Sequence, residues 1–233
     1  MDSLRDPVSS VSHFLMAGFA VVAALFLVRL ANRDRWQRLC VLVFGLCMVV
    51  LYAASGLYHA LRLPPDELRL YQRLDMSAIY LMIAGSCTPI AALLLRGPFR
   101  TVLLIGVWLF AVIGIAALWV LPKPDHGVLV ATYVGMGWLG MSGVWHYWKA
   151  TGWGGLTWIA AGAVFYTAGA VVELANWPVL WPGVIRSHEL LHFFDMAGTA
   201  CHLVFIVKYV LPYRPPVVAE NGQAAGFAVP AEA

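Results

Sequence analysis

Seven apolar stretches, each of about twenty residues or more, divide the chain at about 8–31, 36–61, 71–95, 101–121, 128–148, 154–174 and 185–210. Each is long enough to cross ~30 Å of hydrocarbon as an α-helix. Composition agrees: 61% of the 233 residues are hydrophobic and 12% are charged, about half the charge of a soluble domain. The reading is an all-α integral membrane protein, a seven-transmembrane helix bundle over residues 1–211. A tail at 212–233, rich in Pro, Ala, Gly and Glu and without periodicity, is expected to be disordered. The first stretch is too long for a signal-peptide core and reads as a retained span. The net charge of +3 comes from basic residues scattered between the spans, which leaves no patch for nucleic acid. Cys40, Cys47, Cys87 and Cys201 lie inside apolar stretches without paired spacing, and read as core residues.

The connectors are proline- and glycine-rich. Leu63-Pro64-Pro65-Asp66-Glu67 reads as a turn after the second span. Arg96–Arg100, Pro122–Gly127 and the aromatic Asn176–Gly183 segment separate later spans. Seven crossings impose a parity: odd-numbered spans start on the N-terminal side of the membrane, and even-numbered spans end there. His59 ends the second span, Asp75 opens the third, Glu173 closes the sixth, and His188 and His192 open the seventh. Parity alone therefore gathers these five on one side at similar depth. Lys and Arg number six on that side and nine on the other, which points to the N-terminus outside by the positive-inside rule.

The seventh stretch opens with Ser187-His188-Glu189-Leu190-Leu191-His192. Histidines four apart on a helix share a face, about 6 Å apart along the axis, and can point at one metal ion. Ionisable groups at membrane depth are costly and tend to be functional. His59, His188 and His192 together supply three imidazoles, and three protein ligands with one open position make a catalytic type of zinc site. Zinc in such a site makes hydroxide available near neutral pH. Asp75 is placed to hold or deprotonate the water, and Ser55, four residues before His59, shares its helix face. The implied reaction is hydrolysis of an amide or ester bond, with a membrane lipid as substrate or ligand. Taken singly, each of these polar residues could instead be an interhelical hydrogen bonder.

His202 lies about 21 Å beyond His188 along the same helix and reads as such a bonder. His13, His126 and His146 have no evident partner at matching depth. Glu173 and Asp195 are candidates to support the ligands. Glu189, one position off the histidine face, is expected to point outward or into the loop.

These motifs resemble those of the hemolysin III proteins, which are related to the progestin and adiponectin receptors and more distantly to the alkaline ceramidases. The resemblance covers the membrane body. It is carried by Ser55-Gly56-Leu57-Tyr58-His59, by Arg73-Leu74-Asp75-Met76-Ser77-Ala78-Ile79-Tyr80 with Ala84–Pro89 behind it, and by Ser187–His192 followed by Gly198–His202. It implies zinc held by His59, His188 and His192, water held by Asp75, and Ser55 beside the site. It also implies a multi-pass protein of the cell membrane, in bacteria the inner membrane. Eukaryotic members of the wider group have the N-terminus inside, against the charge count, so orientation stays open. Four activities follow from these readings. They are a zinc hydrolase of a lipid amide or ester, a pore or cytolysin with structural metal, a sensor of membrane state, and a protease built on His188-Glu189-x-x-His192.

Overall fold

A computed structural model describes residues 4–31, 34–121 and 125–214. Nearly all of the described chain is helical: α1 (Pro7–Leu30), α2 (Arg35–Ala60), α3 (Pro65–Leu94), α4 (Gly97–Val120), α5 (His126–Met141), α6 (Val144–Ala175) and α7 (Ser187–Phe205), the last extended by a π-helical turn at Ile206–Val210. Six of these are long and apolar enough to cross a membrane: α1, α2, α3, α4, α6 and α7 with its extension. The 16-residue α5 is too short to qualify alone. Beyond residue 214 the expected tail lies outside the described residues.

The largest difference from the sequence reading is at the third span. The Pro64-Pro65 pair does not make a separate turn; Pro64 caps α3 and Pro65 is its first residue. Proline suits that position because its missing N–H would be unpaired anyway. Asp66 and Glu67 then fall in the first turn, where negative charge complements the helix dipole. The helix thus begins six residues earlier than expected and takes in Arg69.

The boundary between the fifth and sixth stretches also differs. α6 is broken at Gly152, which has φ 67° and ψ −167°, a conformation essentially reserved for glycine. On one side of that break, a Cβ on Gly140 would meet the Cys87 sulfur; on the other, a Cβ on Gly154 would meet the Tyr209 hydroxyl at the far end of α7. The chain therefore descends from mid-bundle to the far end before Gly152 and returns after it.

α2 and α7 run antiparallel through the middle. Gln37 Nε2 donates to the Leu211 carbonyl (3.0 Å) at one end, and the Tyr52 hydroxyl donates to Thr199 Oγ1 (2.8 Å) midway. Tyr166 of α6 reaches the same Thr199 oxygen at 3.0 Å. α3 is tied to its neighbours by Trp119 Nε1 donating to Ser77 Oγ (3.1 Å) and by the Tyr133 hydroxyl donating to the Met76 carbonyl (2.9 Å). α1 lies against α2 through small residues: Ala20 and Ala23 are buried, and a Cβ on Gly45 would sit 2.5 Å from the Ala24 Cβ. Such close approach by small residues is how membrane helices gain packing contacts. Outward faces are apolar, including Leu15, Val22 and Leu25 on α1 and Val102, Ile105 and Val112 on α4. Polar residues such as Ser9, Ser10, Gln37 and Thr199 are buried. Cys40, Cys47 and Cys201 are buried, Cys87 is half-buried, and all four are free thiols.

Candidate metal centre

The antiparallel pairing of α2 and α7 brings the last turn of one beside the first turn of the other. His59 therefore meets His188 and His192. Their Nε2 atoms form a triangle with edges of 3.4 Å (His59–His188), 3.2 Å (His59–His192) and 3.2 Å (His188–His192). His59 and His192 are buried, whereas 39% of the His188 side chain is exposed. The three are the group able to hold a metal ion among the described residues.

The tautomers follow from what lies behind each ring. His59 Nδ1 is 2.9 Å from Asp6 Oδ2, and His188 Nδ1 is 3.3 Å from both carboxylate oxygens of Glu173. An ionised carboxylate only accepts, so each Nδ1 carries the hydrogen and each Nε2 presents a lone pair. Two lone pairs thus face each other at 3.4 Å, and a single hydrogen on His192 Nε2 could satisfy only one of them. A metal ion accepts all three. With metal–nitrogen bonds of about 2.0–2.1 Å, tetrahedral coordination places nitrogens roughly 3.3–3.4 Å apart, matching the triangle. Carboxylates behind metal-binding imidazoles are the usual means of fixing tautomer and ring orientation.

Asp6 precedes the first residue of α1 and is held by a short strap. Its backbone N–H donates to the His59 carbonyl (2.9 Å), Arg5 N–H donates to the Ala60 carbonyl (3.3 Å), and Arg62 Nη2 donates to the Leu4 carbonyl (2.7 Å). Arg5 also donates from Nε to Asp6 Oδ2 (3.0 Å), with its guanidinium 4.2 Å above the Tyr58 ring. Burial pushes the Asp6 carboxyl up, but the hydrogen bonds from His59 and Arg5 outweigh it and hold the group below its ordinary range.

The sequence reading missed Asp6 because it lies before the first span. It also left His13 without a partner. His13 is buried, its ring stands edge-on to His192 with centroids 4.3 Å apart, and its Nδ1 donates to the Ser9 carbonyl at 2.9 Å. The parity rule, applied to the opening turns of the first span, would have found both. His126 likewise has a partner, its Nε2 lying 3.3 Å from Glu173 Oε1, while His146 stacks on Phe99.

The other expected residues sort clearly. Asp75 and Ser55 are both buried, with the Ser55 hydroxyl facing the Asp75 carboxyl. Asp195 lies beside Tyr52, deeper along α7. Glu189 does not point outward: it is buried, its Oε2 accepts from the Arg186 backbone N–H (2.9 Å), and its Oε1 accepts from Ser9 Oγ (3.4 Å). It caps the start of α7 and joins it to α1, because the first turn of a helix has free N–H groups that a carboxylate three residues in can reach. His202 makes no interhelical hydrogen bond through Nδ1, which is buried and unpaired; its ring packs edge-on against Tyr166.

Residues 1–203 match the model of a family described as Haemolysin-III related. A protein named Hemolysin-3 from Bacillus cereus is 30% identical over 206 residues, covering 88% of this chain and 91% of that protein. A Hemolysin-3 homolog from Bacillus subtilis (strain 168) is 28% identical over 215 residues, 89% of this chain and 98% of its own length. The human Monocyte to macrophage differentiation factor is 25% identical over 210 residues, 88% of this chain and 83% of its own.

Proposed function

Since the chain belongs to the Haemolysin-III related family and is a multi-pass membrane protein, we propose that it is a zinc-dependent hydrolase of a lipid amide or ester. The observation that carries this reading is the triangle of Nε2 atoms, 3.2–3.4 Å on each edge, with carboxylates behind two of its three rings. We read the helical chain on either side of Gly152 as two crossings, which makes seven, and place the protein in the bacterial inner membrane.

His59, His188 and His192 would hold the ion, and Asp6 and Glu173 would fix the orientation of two of them. Zinc so held supplies a Lewis acid and hydroxide near neutral pH. Asp75, buried on α3, would take a proton from the attacking water and return it to the departing amine or alcohol. Ser55, facing Asp75, would orient that carboxyl. The half-exposed edge of His188 gives the substrate its approach. The protease reading loses support because Glu189 is committed to the Arg186 N–H and to Ser9.

A lytic reading takes support from the name Hemolysin-3 of the Bacillus cereus relative. Against it, α4 has a single charged residue, Arg100, and α5 contains no Asp, Glu, Lys or Arg, so neither offers a polar wall for an aqueous path.

Metal content measured by mass spectrometry on detergent-purified protein tests the proposal. One zinc per chain is expected in the wild type, lost in His188→Ala and retained in Asp75→Asn, whose lipid amide hydrolysis should vanish. Absence of metal from wild type purified without chelator would overturn the hydrolase reading. Lysis that survives Asp75→Asn would favour the pore.

A further inference from the structure

Beside the histidine triangle, at the same end of the bundle, lies a cleft of about 750 Å³ between the end of α2, the start of α3, the end of α4 and the start of α5. That volume falls within the range of small-molecule sites. Its lining is graded. Arg69, Gln72 and Arg73 on the opening turns of α3, with His126 at the first position of α5, make the rim. Met76, one turn deeper than Arg73, forms the floor with Leu118 and Leu129. Among the described residues the lining contains no carboxylate.

Arg69 also pairs with Asp66 at the mouth, where both side chains are largely exposed, and the Arg73 guanidinium lies 5.8 Å from the centre of the Trp119 ring. Two guanidinium groups one turn apart form a pair of donor forks suited to a phosphate. The apolar floor below them suits an acyl stem and would be wasted on a free anion.

From this grading we infer that the cleft binds a membrane lipid with an anionic, phosphate-bearing headgroup. The headgroup sits between Arg69 and Arg73, and the stem lies along Met76, Leu118 and Leu129. Two links connect the cleft to the metal centre. Tyr58 on its inner wall stands edge-on to His59, with centroids 4.9 Å apart, and His126 on its rim shares Glu173 with His188. The inference rests on the lipid half of the function proposed above, not on its hydrolytic half.

The test is lipid retention. Purified full-length protein is equilibrated with equal amounts of phosphatidylglycerol and phosphatidylcholine of matched chains, and bound lipid and metal are measured on the same samples. Wild type should enrich phosphatidylglycerol by roughly thirtyfold, the contribution of two arginines at a membrane surface. The Arg69→Gln, Arg73→Gln pair should abolish that preference with metal content unchanged, and Arg96→Gln at the opposite end should keep it. Should the pair fail to fold, Arg69→Glu decides alone, since its largely exposed side chain bears little on folding, and it should weaken the preference. No preference in the wild type, or a preference that survives the cleft variants, overturns the inference. So does complete displacement of the lipid by millimolar inorganic phosphate, which would mark a free-phosphate site. A lipid preference in protein lacking zinc would sink the hydrolase reading alone.

Discussion

Removing the Asp6 carboxylate should weaken zinc binding by about 100-fold, although Asp6 is not itself a ligand. A carboxylate behind a metal-binding imidazole is worth 10–100-fold in affinity, or ~1.4–2.7 kcal/mol. Asp6 belongs at the upper end because its bond to His59 is short (2.9 Å) and its charge is held by Arg5. Asp6→Ala leaves His59 Nδ1–H without its acceptor, frees the ring to take the other tautomer, and so withdraws the lone pair from the triangle. The strap itself should persist, because the Asp6 N–H to His59 carbonyl bond is backbone to backbone. Asp6→Asn keeps an oxygen that can accept from Nδ1–H and loses only the charge, so about tenfold is expected. Glu173→Gln should cost about tenfold at most, since its contacts to His188 are longer (3.3 Å) and its carboxylate also serves His126. Competition titration of detergent-purified protein against a chromophoric zinc chelator reads all three, with melting temperatures taken on the same samples. Zinc affinity of Asp6→Ala within about twofold of wild type would refute the reasoning, as would Asp6→Asn proving as damaging as Asp6→Ala.

Gly45→Ala should destabilise the α1–α2 contact by roughly 1–3 kcal/mol, read as a lower melting temperature, because the new methyl would lie 2.5 Å from the Ala24 Cβ. Glu189→Ala should retain zinc and lower stability by about 0.5–2 kcal/mol, the worth of a helix cap; loss of zinc would instead return Glu189 to the site. Thr199→Val removes the shared partner of the Tyr52 and Tyr166 hydroxyls, and should cost about 1–3 kcal/mol in thermal unfolding with zinc content unchanged.

The membrane architecture was legible because hydropathy is summed over twenty residues, and the errors fall where single residues decide. Pro64 and Pro65 carry the same chemistry whether they stop one helix or start the next; only the Asp66 and Glu67 that follow favour a start. The stretch around residues 141–153 contains both a turn at Ser142–Gly143 and the reversal at Gly152. Glycine permits either, and the choice is made by what each flank meets, Cys87 on one side and Tyr209 on the other.

The triangle was legible for a different reason. Parity converts position along the chain into depth, and three histidines at one depth in an apolar protein are hard to explain as packing alone. Depth is not direction, however. Glu189 shares the depth of His188 and points into the α1 contact, and Asp195 shares a helix with the site yet sits beside Tyr52. The residues that sequence reasoning passed over, Asp6 and His13, lie at the same depth on the opening of α1. The centre is therefore a product of four helix ends. α2 and α7 supply the imidazoles, the end of α6 supplies Glu173 behind His188, and the strap before α1 supplies the carboxylate that aims His59. A truncation that removes residues 1–6 would spare the three histidines that form the metal-holding group among the described residues and still take that carboxylate, so its zinc affinity should fall as far as that of Asp6→Ala. A truncated chain that kept wild-type affinity would show that the α2–α7 pair is sufficient to orient His59 unaided.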